Sequence, residues 1–108
     1  MPNETTNEET TLLDEIKIAL RVTHTKLDGE ISDNILAAEH ELERVGIPWE
    51  IASDPENHPL IKRAVKTYCQ SAMAIDQAQA EKYQRSFELQ AENMRKTQAL
   101  GELGGNAE

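Results

Sequence analysis

Apolar residues in this chain recur at intervals of three and four, and no segment alternates apolar with polar positions for long enough to predict a strand. The first ten residues, MPNETTNEET, carry no apolar side chain beyond Met1 and its proline, which predicts a flexible acidic tail over residues 1–10. From Leu12 the pattern changes. Leu13, Ile16 and Leu20 share a helical face, Thr11 is placed to cap, and Asp14 comes three residues later, so a first helix is expected from about Thr11 to Arg21. Val22 to Leu27 is β-branched and polar and reads as a short connection, with Thr23, Thr25 or Asp28 available to cap a second helix. Leu27, Ile31, Ile35, Ala38, Leu42 and Val45 then make the cleanest amphipathic stripe in the chain. Gly46 stands where a left-handed terminator belongs, and Pro48 prevents the helix from continuing.

The stretch IPWEIASDPENHP, with three prolines in thirteen residues, predicts a structured loop anchored by Ile47, Trp49 and Ile51, Trp49 lying partly buried as a lid on the helical core. Pro59 suits a first helical position behind Asn57 or His58. It opens a third helix whose stripe is Ile61, Val65, Tyr68, Ala72 and Ile75, widened by Leu60, Ala64 and Met73. After a break at Asp76 and Gln77, the residues Ala80, Tyr83, Phe87, Ala91 and Met94 keep the interval to about Ala99. The glycine-rich end GELGGNAE predicts a flexible tail over residues 100–108. The fold class expected is all-α: a small four-helix bundle, residues 11–99, with a long C-terminal helix.

Length and charge narrow the function. The chain has 108 residues, enough for one modest core, and its 38% hydrophobic and 4% aromatic content makes that core thin. Its net charge of −9 opposes a role in gripping phosphate backbones. The charge is also divided: residues 1–57 hold fourteen acids and four bases, a net of −10, whereas residues 58–108 hold six acids and seven bases, a net of +1. Such a split predicts two surfaces with different neighbours. No apolar run approaches the ~20 residues of a membrane span, and the N-terminus has neither the basic nor the apolar region of a secretory signal, so a cytosolic location and no membrane contact are expected.

Candidate chemistry is sparse. His24, His40 and His58 make no metal-ligand spacing, and the single Cys69 falls on the apolar side of the third helix as a buried small hydrophobe, without an evident base. Phosphate, dinucleotide, acyl-transfer and metalloprotease signatures are all missing, so neither an enzyme nor a cofactor is expected. Glu39, Glu41 and Glu43 are spaced by two and splay around a helix. Lys62, Arg63 and Lys66 cluster at a helix start, where they oppose the dipole and call for an acidic neighbour from this chain's first half or from a second subunit.

Two segments carry a family resemblance. LLDEIKIALRVTH is similar to the opening of the head–tail connector, or adaptor, proteins of long-tailed phages and prophages. HPLIKRAVKTYCQSAMAID followed by AEKYQRSFELQAENM resembles that family's pattern of an apolar helix, a short break and a last helix, carried here by Ile61, Lys62, Ala64, Val65 and Tyr68 and then Glu81, Tyr83, Arg85, Ser86 and Phe87. The resemblance covers residues 12 to 94, and the chain departs from it in having Thr25 and Lys26 where the family has acids.

The resemblance implies a virion neck component, present in the host cytoplasm before assembly. It would form a homo-oligomeric ring, usually dodecameric, beneath the portal protein, extend the DNA channel and offer a platform to the next neck or tail completion protein. On that reading Glu39, Glu41 and Glu43 are candidate channel-lining acids past which DNA slides without specific binding. Lys62, Arg63 and Lys66 are candidate inter-subunit contacts, and Leu100 and Leu103 belong to a tail that contacts the portal. A small acidic helical adaptor or DNA-mimic regulator binding one host protein is the alternative that explains the charge.

Overall fold

The computed structural model describes the backbone of residues 11–107 and the side chains of residues 11–97. The acidic N-terminal tail, residues 1–10, and the side chains of Leu100 and Leu103 lie outside the described residues. Among the described residues the chain forms five α-helices and one short 3₁₀ turn: α1 (Leu12–Leu20), α2 (Asp28–Arg44), α3 (Trp49–Ala52), the 3₁₀ turn (Pro55–Asn57), α4 (Pro59–Ala72) and α5 (Gln77–Ala107). No strand occurs among the described residues, so the fold is an all-α small bundle.

Local chemistry sets most of the boundaries. Thr11 has extended dihedrals, and its Oγ1 accepts the Asp14 N–H at 3.2 Å, which starts α1. The helix stops at Arg21, a non-glycine residue with φ 62°, where the Val22 N–H closes back on the Lys17 carbonyl at 2.9 Å. α2 begins without a side-chain cap; neither Thr23 nor Thr25 serves, and Asp28 and Glu30 instead place negative charge in the first turn. It ends as expected: Gly46 adopts φ 119°, and Ile47 turns inward to 2% exposure, its N–H bonded to the Leu42 carbonyl at 3.1 Å.

The proline-rich loop is structured, as expected, and is built from two short helical turns. One helical turn, α3, comes after Pro48, and Ser53 Oγ donates to the Trp49 carbonyl at 2.6 Å. Ala52 and Pro55 are buried along with Ile47, two anchors that the sequence pattern missed. Pro59 opens α4, but neither candidate side chain caps it: Asn57 is occupied with Asp54, and His58 Nδ1 donates to the Asp54 carbonyl at 3.0 Å. Asp76 starts α5 by accepting the Gln79 N–H at 2.8 Å. That helix continues beyond the expected end near Ala99, through Gly101, Gly104 and Gly105 to Ala107. Three glycines cost a growing helix about 1 kcal/mol each but remove no backbone donor, whereas a proline would.

α4 is the centre of the packing, with α5 running back along it and α1, α2 and the 3₁₀ turn against its other sides. The core joins Ile16, Ile31, Leu42, Val65, Cys69 and Phe87, and Phe87 meets the half-buried Tyr68 edge-on at 5.2 Å between ring centroids. Two members of the predicted α4 stripe leave it. Ala72, at the last helical position, is exposed, and Ile75 lies past the helix end, where the 3.6-residue period no longer applies, and is fully exposed. Leu60, assigned to the widened stripe, is 57% exposed because it sits in the first turn beside Ile61, about 100° around the helix from it. The radius of gyration, 15.2 Å, exceeds the ~13 Å of a compact chain this long, as a projecting 31-residue α5 requires.

Candidate functional site

The basic cluster at the start of α4 is mostly neutralised within the chain. Lys62 Nζ lies 2.9 Å from Glu15 and 3.6 Å from Glu56, and Lys66 Nζ lies 3.3 Å from Glu15. Glu56 also accepts the Leu12 N–H at 2.9 Å, which satisfies a donor at the start of α1. Two acids therefore tie α1 and the 3₁₀ turn to α4. The Lys62 hydrogen bond holds the Glu15 carboxyl below the usual glutamate range, and Glu15 in turn raises the Lys62 ammonium. Sequence reasoning asks for an acidic neighbour without naming these two, because Glu15 stands 47 positions from Lys62 and no local spacing signals the pair.

Arg63 differs from both lysines. It is exposed and, among the described residues, has no carboxylate within ion-pair distance. It borders a depression of ≈ 180 Å³ with Leu60, Gln90, Asn93, Met94 and Thr97. Leu60, Met94 and Thr97 also line an apolar groove of ≈ 190 Å³, whose walls include Ile47, Ile51 and Ile61. The two hollows adjoin at the N-terminal end of α4, so a cation stands at the rim of an apolar recess.

Glu39, Glu41 and Glu43 do not share one environment. Glu39 is half-buried, and desolvation pushes its carboxyl above the usual range. Glu41 pairs with Arg44 on the side of α2 that faces α5, and Glu43 is exposed, 3.8 Å from His40. Positions 39 and 43 are ~40° apart around the helix axis, whereas 41 lies nearly opposite both. His40 stacks on Trp49 at 4.6 Å between ring centroids, so Trp49 rests on α2 while staying partly open to water.

Burial pushes the Cys69 thiol up to about 12, which leaves it protonated at neutral pH, and among the described residues no carboxylate or imidazole contacts it. Among the described residues no three His, Cys, Asp or Glu side chains gather as an ion site, and no helix is long and apolar enough to cross a membrane. Large apolar side chains are exposed at scattered points, Ile18, Leu36, Leu60, Ile75 and Leu89, and of these Leu60 alone borders the apolar groove at the start of α4.

Against known families, a model described as phage connector protein matches residues 12–99, which takes in α1 through α4 and most of α5. No curated protein and no solved structure matches the chain.

Proposed function

The chain belongs to the phage connector protein family, a family of structural proteins of the virion, and from that premise we propose that it works as a ring of identical subunits docked beneath the portal vertex. The observation that carries this reading is the extent of the family match, which spans nearly every helix of the described body. The ring extends the DNA channel from the portal and gives the next neck or tail component its platform. Twelve copies are the expected number.

Acidic residues suit such a channel. A duplex passing through it must not bind, and carboxylates repel phosphates over roughly the Debye length, ~8 Å at physiological salt. Within α2 the exposed Glu43 is the strongest of the three candidates, because Glu39 is part-desolvated and Glu41 is already paired with Arg44. The C-terminal residues around Leu100 and Leu103 reach the portal.

The test is a mass measurement of the purified protein with its cognate portal, followed by imaging. A portal-bound ring of many copies is the expected product. A one-to-one complex with a single host protein, and no portal binding, would instead support an acidic regulator. Truncation after Ala99 is expected to abolish portal binding while leaving the helical circular-dichroism signal; a truncated chain that still docks refutes the role of the tail.

A further inference from the structure

The turn between α4 and α5 carries an unusual pair. Ile75 is wholly exposed, at 101% of its reference area, and is not a member of the core. Asp76 comes directly after it, also exposed, with one carboxylate oxygen engaged in capping α5. At the other end of α4, a helix of 14 residues and so about 21 Å long, lies the apolar groove walled by Ile51, Leu60 and Met94, with Arg63 at its rim. One end of the helix thus offers an apolar knob followed by an acid. The other offers an apolar hollow bordered by a base that has no acid of its own among the described residues, while Lys62 and Lys66 beside it are held by Glu15.

We infer that Ile75 of one copy seats in the groove beside Leu60 of the next, with Asp76 reaching Arg63. The inference rests on the ring reading and supplies its subunit contact. Charge complementarity selects the occupant: the knob and its acid match the hollow and its base in kind and in order. Because the two features lie at opposite ends of one helix, the contact is head-to-tail, and repetition closes a ring or extends a filament and does not stop at a two-fold dimer. The chain's own first ten residues are a poor occupant of an apolar groove, since they hold no apolar residue beyond Met1 and its proline.

The experiment is disulfide trapping of a variant carrying both Leu60→Cys and Ile75→Cys, alone and with portal. Within one chain the two positions are too far apart to bond, since a disulfide needs Cα atoms within ~7 Å. Native Cys69 is buried and does not compete. The expected result is an oxidation-dependent ladder running from dimer to the full ring, with neither single-cysteine variant trapped. Arg63→Glu is expected to weaken assembly at least about tenfold, and pairing it with Asp76→Arg to recover most of the loss.

A covalent dimer from Ile75→Cys alone would mean a two-fold contact and overturns the proposal. Rings that form without the ladder overturn this interface and leave the ring reading standing. Absence of any multimer, with or without portal, removes both. The melting temperature of each variant, measured alongside, separates lost assembly from lost folding.

Discussion

Replacing Glu15 by Gln removes the charge that fastens α1 to α4 while keeping the shape of the side chain. Glu15 contacts Lys62 at 2.9 Å and Lys66 at 3.3 Å, with side-chain exposures of 26%, 26% and 34%. A hydrogen bond to a charged group contributes about 1.5–3 kcal/mol, an exposed ion pair about 0.2–1. This cluster lies between those cases. Solvent still screens it, and Lys62 keeps a longer contact to Glu56, so the expected loss is about 1–2 kcal/mol. For a chain of this size that corresponds to a fall of roughly 5–10 °C in melting temperature. The pH dependence has a definite sign. The folded-state pKa of Glu15 is lowered, chiefly by Lys62, so the folded protein binds fewer protons than the unfolded one, and the contribution is present above the unfolded value. It disappears as the pH falls through the folded value. Circular-dichroism melts of both proteins at pH 7 and at stepwise lower pH should therefore show a gap that closes in acid. A gap below about 1 °C at neutral pH, or one that survives undiminished when carboxylates are protonated, refutes the reasoning.

Burial sets three further outcomes. Phe87→Ala, which empties the space between α4 and α5 and removes the edge-on partner of Tyr68, should cost about 3–5 kcal/mol in chemical denaturation, against much less for Phe87→Leu. Glu39→Gln should raise the melting temperature at neutral pH: its folded pKa is raised by desolvation, so stability is lost as the pH rises from the unfolded value through the folded one, and the gain should vanish in acid. Cys69 should resist iodoacetamide in the folded protein and react at once in denaturant; rapid labelling of the native chain would contradict its burial and its protonated state.

The range of the forces involved decides how much the sequence can reveal. Thr11 and Asp14 lie three residues apart and define a cap by themselves, and the α2 stripe from Ile31 to Leu42 needs no information beyond helical spacing. The Lys62–Glu15 contact joins positions whose proximity exists only after α1 has docked on α4, so the need for an acid is legible while its identity is not. Ile75 shows the opposite failure. Counted by period it belongs to the α4 stripe, but the helix ends at Ala72 and the turn rotates Ile75 out of register. The splay of Glu39, Glu41 and Glu43 is required by backbone geometry alone, whereas the desolvation of Glu39 depends on neighbours that no spacing names.

Gly46 allows the backbone and steric parts of one constraint to be separated. At φ 119° it occupies a region that side chains rarely adopt, and it turns the chain so that Ile47 enters the core immediately after α2. A Cβ there would also approach Arg95 Cδ and Cγ at 3.2 and 3.3 Å. These two obstacles differ in hardness. Arg95 is exposed and, among the described residues, paired only with Glu92, three residues away on the same helix, so its flexible stem can swing aside. The backbone cannot yield without withdrawing Ile47 from its position or breaking its bond to the Leu42 carbonyl. Gly46→Ala should therefore lose about 1–3 kcal/mol, as residues forced into sparsely populated dihedrals do. Adding Arg95→Ala should recover little of that loss in a urea titration. Full recovery would place the cost in the Arg95 contact, and the turn at Gly46 would then owe nothing to glycine's conformational freedom.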